Sequence, residues 1–153
     1  MEFSRYVLWV TALLDRYITR LGAANRDTRL ETLLDLSRKL PPLPPGLDDG
    51  HTREAHRVPE CQTPVHLWVE VTGGRVRLHA DVPRESPTVR GFVALLVQAL
   101  DGATPAEVAA VPDDLLHALG LDDALGMTRT QGLSAIVRRI KRAVADGSSR
   151  TPS

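Results

Sequence analysis

A single cysteine, Cys61, is the only thiol in 153 residues. One thiol cannot close an internal disulfide, so the fold must rest on packing, and a reducing compartment is the expected setting. Net charge is lacking as well, because 19 Lys and Arg stand against 19 Asp and Glu. No global positive field exists to hold nucleic acid or an anionic membrane surface, so neither is an expected partner and any charge recognition has to be local. Long hydrophobic runs are also missing. The apolar stretch near the start is interrupted by Arg5, Asp15, Arg16 and Arg20, and no small-residue cleavage site follows it. A soluble, cytoplasmic protein is expected.

What the chain does have is 42% hydrophobic residues, enough for one ordinary core and hardly for two. A single domain over 1–146 is expected, with a disordered tail over 147–153. Helices occupy both ends. Tyr6, Val7, Trp9, Val10, Leu13, Leu14, Tyr17, Ile18 and Leu21 recur at helical spacing before Gly22. Asp27 is placed to cap a second helix, which buries Leu30, Leu33, Leu34, Leu36 and Leu40 before Pro41, Pro42, Pro44 and Pro45 stop it. The period then changes. Val65, Leu67, Val69 and Val71 alternate with polar residues up to Gly73-Gly74, and Val76, Leu78 and Ala80 alternate after it, which predicts an antiparallel hairpin. A third, shorter strand is expected over 53–58. Pro87 opens a nearly all-apolar helix that ends before Gly102, and Thr104-Pro105-Ala106-Glu107 has the pattern of a capping box. A further turn is expected over 112–119, stopped by Gly120. Leu133, Ile136, Val137, Ile140, Ala143 and Val144 then form the apolar stripe of a terminal helix whose other face is basic. The fold class is therefore α+β: a small antiparallel sheet of about three strands with helices on one face.

Cys61 falls in a connection between strands, flanked by Pro59 and Pro64, which remove two backbone donors and oppose ladder formation. Three histidines, His51, His56 and His66, share a five-residue spacing with it, but zinc sites usually bring ligands as close pairs on turns, and this spacing matches no common module. An iron–sulfur cluster held by this chain would need several thiolates. A cysteine hydrolase would use His56 or His66 as base, yet no motif supplies an oxyanion hole or an orienting third group. A third class is a passive adaptor: Gly91 to Thr128 contains no Lys or Arg but carries Asp101, Glu107, Asp113, Asp114, Asp122 and Asp123, opposite a basic last helix.

The segment Val58-Pro59-Glu60-Cys61-Gln62-Thr63-Pro64-Val65 resembles the cysteine loop of the SufE family, in which Gly-Cys-Gln-Ser precedes an apolar strand. Ala80-Asp81, then Val89-Arg90-Gly91-Phe92-Val93-Ala94-Leu95-Leu96, the capping box, Leu119-Gly120-Leu121 and Thr128-Arg129-Thr130-Gln131-Gly132-Leu133 resemble further family segments in family order. The resemblance runs from Arg29 to Val144, leaving the first dozen residues and part of the first helix outside it. It implies a SufE/IscU-like fold and a sulfur acceptor. In this family pattern Cys61 takes persulfide sulfur from a SufS-type cysteine desulfurase, whose pyridoxal phosphate belongs to that partner, stimulates it, and delivers the sulfur to a SufB-type iron–sulfur scaffold. A carrier of the CsdE type, serving another desulfurase, is the alternative. No cofactor, metal or independent turnover is implied for the chain itself. Gln62 and Thr63 would support the loop, and Asp81, Arg90 and Arg129 match positions tied to the desulfurase contact. Three departures stand out: Glu60 for glycine, Thr63 for serine and His66 for tryptophan. The charge of Glu60 beside the thiol is expected to disfavour the thiolate.

Overall fold

The computed structural model describes the backbone of residues 2–150 and the side chains of residues 12–147. Tyr6, Val7, Trp9 and Val10 lie outside the described side chains. The order of elements is α1 (Glu2–Gly22), α2 (Arg26–Ser37), a 3-10 turn (Arg53–His56), β1 (His66–Thr72), β2 (Arg75–Asp81), α3 (Pro87–Leu100), α4 (Pro105–Ala109), α5 (Leu115–Ala118), α6 (Leu121–Leu125) and α7 (Met127–Arg150). Among the described residues no helix is long and apolar enough to cross a membrane.

The hairpin takes the register that its alternation implies. Leu67 pairs with Ala80, Val69 with Leu78 and Val71 with Val76, so the apolar members share one face. Against that face pack α3, beside β2, and α7, beside β1. A Cβ added at Gly147 of α7 would lie 3.1 Å from Cγ2 of Val71. The core continues through α3, where ten residues including Val89, Phe92, Leu95 and Leu96 are buried, consistent with its nearly unbroken apolar sequence. Helix α2 crosses α3 where Gly91 leaves room: a Cβ there would fall 2.0 Å from the carbonyl oxygen of Leu33.

Among the described residues the sheet has two strands rather than about three. Between 53 and 58 the chain forms the 3-10 turn, and only Arg57 bridges to His66. The cause is local. The Asp49 carboxylate accepts from the amides of His51 and Thr52 and from the Thr52 hydroxyl, which starts a turn where the pattern of side chains alone suggested extension. Pro59 then has no amide to continue a ladder. The turn lies over the outer face of the hairpin, and the His56 ring stacks on Trp68 at 4.9 Å between centroids. Beneath it His66 Nδ1 and Trp68 Nε1 are buried without a hydrogen-bond partner among the described residues.

Other boundaries shift for equally local reasons. The cap of α2 is Asn25, whose side chain accepts from the Thr28 amide at 2.8 Å, and Asp27 sits in the first turn, where its charge complements the helix dipole. The capping box forms as expected, with both Thr104 and Glu107 engaged. Gly120, at φ 72°, separates α5 from α6, a short helix that the sequence pattern did not suggest. At the far end α7 runs through Gly147 to Arg150, so the expected disordered tail is helical over 147–150, and 151–153 lie outside the described residues.

Candidate functional site

Cys61 sits on a short loop whose two ends are fixed. Val58 and Val65 are both fully buried, and the Val58 amide donates to the Val65 carbonyl at 2.9 Å, closing the loop at its base. Between them the backbone makes two further bonds, from Cys61 N to Val58 O at 3.3 Å and from Val65 N to Thr63 O at 2.8 Å. The loop is thus anchored by its base and lightly held at its tip. Pro59 and Pro64 remove the donors that would otherwise extend β1 backwards.

The thiol points inward and is 6% exposed. It borders a recess of about 130 Å³ lined by Gln62, Thr63, Val89, Thr128, Arg129 and Gly132. Burial pushes the Cys61 thiol above its ordinary pKa, because an anion in apolar surroundings loses its hydration. The backbone amide of Thr63 and, more weakly, the charge of Arg57 pull the other way. The free protein therefore holds a shielded, protonated sulfur beside a small cavity.

Several of the residues singled out in the sequence meet here, and several do not. Gln62, Thr63 and Arg129 line the recess with Cys61. The Gln62 side chain is exposed and has no hydrogen-bond partner among the described residues, so it does not hold the loop backbone as expected. Arg129 is exposed, with Nη1 donating to Thr88 Oγ1 at 3.4 Å. Glu60 turns to the other side of the loop, into a separate concavity of about 340 Å³ with Arg138, Arg139 and Arg142. Burial is the largest cause of the raised thiol pKa, and Glu60 is not among its causes. Asp81 is paired with Arg53 at 2.5 Å, and Arg53 also reaches Asp48, tying the proline-rich crossing segment to the end of β2. Arg90 donates from Nε to the Ser37 carbonyl at 2.9 Å and from Nη1 to the Val82 carbonyl at 2.6 Å. Its guanidinium ties α2 and the end of β2 to α3.

The acidic residues between Gly91 and Thr128 are largely engaged within the fold. Asp101 accepts from the Leu78 amide, Glu107 completes its capping box, Asp113 pairs with Lys141, and Asp122 pairs with His117. No histidine lines the Cys61 recess; His56 instead faces the Leu67 carbonyl through Nδ1 at 2.9 Å. Among the described residues no group of three or more His, Cys, Asp and Glu side chains is placed to hold a metal ion.

The residue that the site reading missed is Gly132. A Cβ built there would lie 3.3 Å from both Cα and Sγ of Cys61. A glycine inside an otherwise apolar helical stripe is the one signal that could have marked it.

A model of the SufE family, described as the Fe-S metabolism associated domain, matches residues 15–144. An uncharacterised SufE-like protein of Mycobacterium tuberculosis is 40% identical over 136 residues, covering 88% of this chain and 93% of that protein. The sulfur acceptor protein CsdE of Escherichia coli is 33% identical over 116 residues, covering 74% of this chain and 75% of CsdE. The solution structure of a hypothetical protein from Thermus thermophilus is similar with a TM-score of 0.76 at 34% identity, covering 90% of this chain and 96% of that one. The matched span begins inside α1 and ends inside α7, so it encloses the hairpin, the cysteine loop and the recess. The chain belongs to the SufE family.

Proposed function

We propose that this protein accepts and carries sulfur on Cys61, taking it from a pyridoxal-phosphate-dependent cysteine desulfurase and delivering it for iron–sulfur cluster assembly on a SufB-type scaffold. The observation that carries the proposal is the placement of the chain's one thiol: buried beside a recess, on a loop fixed at its base and lightly bonded at its tip. Transfer is an exchange. The Cys61 thiolate attacks the outer sulfur of the desulfurase persulfide, a new sulfur–sulfur bond forms at Cys61, and the desulfurase cysteine leaves as its thiolate. No external oxidant is required, since one persulfide replaces another. An ordinary cysteine is only a few per cent thiolate at neutral pH, and burial lowers that fraction further, so docking has to bring the sulfur out of its seat. Arg129 is exposed and lines the recess, which supports a role for it in meeting the partner. Stimulation of the desulfurase follows from removing its persulfide after each cycle.

The test is mass spectrometry after incubation with a cysteine desulfurase and free cysteine. One added sulfur on Cys61 is expected, absent from Cys61→Ser, which keeps the fold but cannot form a persulfide. Stimulation of the desulfurase by the serine variant equal to wild type would show an adaptor instead of a carrier.

A further inference from the structure

Helix α7 spans 24 residues, and Gly132 lies inside it, on the face turned toward the cysteine loop. Glycine is among the least favourable residues for a helix interior, where alanine is the most favourable. A methyl group there would be crowded, so that its neighbour has to give way by a few tenths of an ångström. A Cβ at position 132 would lie 3.3 Å from Cys61 Cα, 3.3 Å from its Sγ and 3.5 Å from its Cβ, tighter than side chains normally approach. Of the two segments in this contact, only one can readily move. The helix is held to the rest of the fold by Arg139, which donates to the carbonyls of Arg57 at 2.5 Å and Ala55 at 2.7 Å, and by Lys141, which donates to the Val111 carbonyl at 2.7 Å. Among the described residues the backbone bonds at the loop tip are those from Cys61 N to Val58 O and from Val65 N to Thr63 O, with the Thr63 amide also reaching the thiol.

We propose that Gly132 is the positioning residue for the retracted state of the thiol: its missing side chain is the seat in which Cys61 rests, and filling that seat drives the loop outward. The biological use of the seat rests on the carrier function above, but the contact itself does not. Outward movement returns the sulfur to water, which favours the thiolate. Gly132 thereby sets how much of the protein waits with its sulfur hidden, and a partner has to overcome that preference on docking.

The experiment is Gly132→Ala in the full chain, with iodoacetamide alkylation rates of the free protein measured against pH. Gln131→Ala, on the exposed side of the same helix, is the control for improved helix propensity. Gly132→Ala is expected to alkylate about threefold faster or more at neutral pH, with the midpoint of its pH profile moved down, while Gln131→Ala follows wild type. A Gly132→Ala profile coincident with wild type overturns the proposal. Should the alanine variant lose its cooperative melt, adding Cys61→Gly, which removes the Sγ and Cβ contacts and keeps only that to Cα, should recover part of it, and the absence of any recovery overturns the proposal. Alkylation requires no desulfurase, so the outcomes separate. Faster alkylation without sulfur acceptance sinks the carrier function alone, and unchanged alkylation with normal acceptance sinks the role of Gly132 alone.

Discussion

Gly91 in α3 and Gly132 in α7 each leave room for a neighbouring segment, but the neighbours differ in kind. At Gly91 the neighbour is the backbone of α2, with the Leu33 carbonyl oxygen 2.0 Å from where a Cβ would stand, and both segments are regular helices joined further by Arg90. Neither can give way by local movement, and shifting one as a body would disturb its packing and the Arg90 bonds. At Gly132 the neighbour is the tip of a loop, 3.3 Å away, fixed at its base and free of ladder bonds at its end. The same residue type makes a rigid crossing in one place and a yielding contact in the other. What separates them is the bonding of the partner segment, and on the proposal above that difference would place motion at the sulfur while sparing the core.

The sharpest way to break this comparison is Gly91→Ala. Overpacking against helix backbone should cost about 3 kcal/mol or more, read as a large fall in melting temperature or loss of folded protein. A variant that melts like wild type would mean that the α2–α3 crossing yields as the loop does. A smaller effect is expected from Arg129→Glu at the mouth of the recess. On the proposed function, desulfurase affinity falls several-fold while the melting temperature hardly moves, because the exposed guanidinium makes one long bond to Thr88. A fall in melting temperature at unchanged affinity would reassign Arg129 to the rigid side.

Proton uptake gives a further, weaker probe. Burial holds the His66 pKa below its ordinary 6.5, helped by the charges of Arg53 and Arg57 and opposed by Asp81 and Glu54. The unfolded chain therefore takes up a proton on His66 at a higher pH than the folded one does. The stability associated with neutral His66 is complete above pH 6.5 and declines as the pH falls from there through the depressed value. Followed downward from neutral pH, wild type should lose melting temperature relative to His66→Leu as acid is added; parallel curves would show that His66 does not report on the fold. The smallest effect is expected from Glu60→Gln. Its side chain faces Arg138, Arg139 and Arg142, away from the Cys61 recess, so thiol alkylation against pH should coincide with wild type. A clear shift would bring the carboxylate back into the control of the sulfur.

The elements best read from sequence were those whose cause is local. Alternation fixed the hairpin register from His66 to Asp81, and the apolar run with proline at its start fixed α3 from Pro87 to Leu100. The expected strand over 53–58 failed because the Asp49 carboxylate, lying before the segment, turns the chain. At the site, Cys61, Thr63 and Arg129 could be picked out because the motif holds them in order, and the structure brings them to one recess. Arg90 was legible as a charge, but its two carbonyl partners lie on other elements. The seat at Gly132 exists only through contact with a residue far earlier in the chain. Side-chain orientation also bears on Glu60: it is Cys61's neighbour in sequence, yet it lines a different concavity from the thiol.

A ribbon of two strands has two open edges, and each is a template on which another chain could pair. Here both are stopped by side chains. The Asp101 carboxylate takes the outward amide of Leu78 at 2.9 Å, next to the paired bonds that join Val76 to Gly102 and Ala103, each 2.7 Å. On the opposite edge the His56 ring meets the outward carbonyl of Leu67 at 2.9 Å, next to the Arg57–His66 bridge. A carboxylate and an imidazole thus stand where a third and a fourth strand would otherwise bind. Removing Asp101 would leave an unpaired amide beside the apolar run of β2, and the consequence would appear as self-association and precipitation at high concentration, with sulfur chemistry unaffected in the protein that stays dispersed.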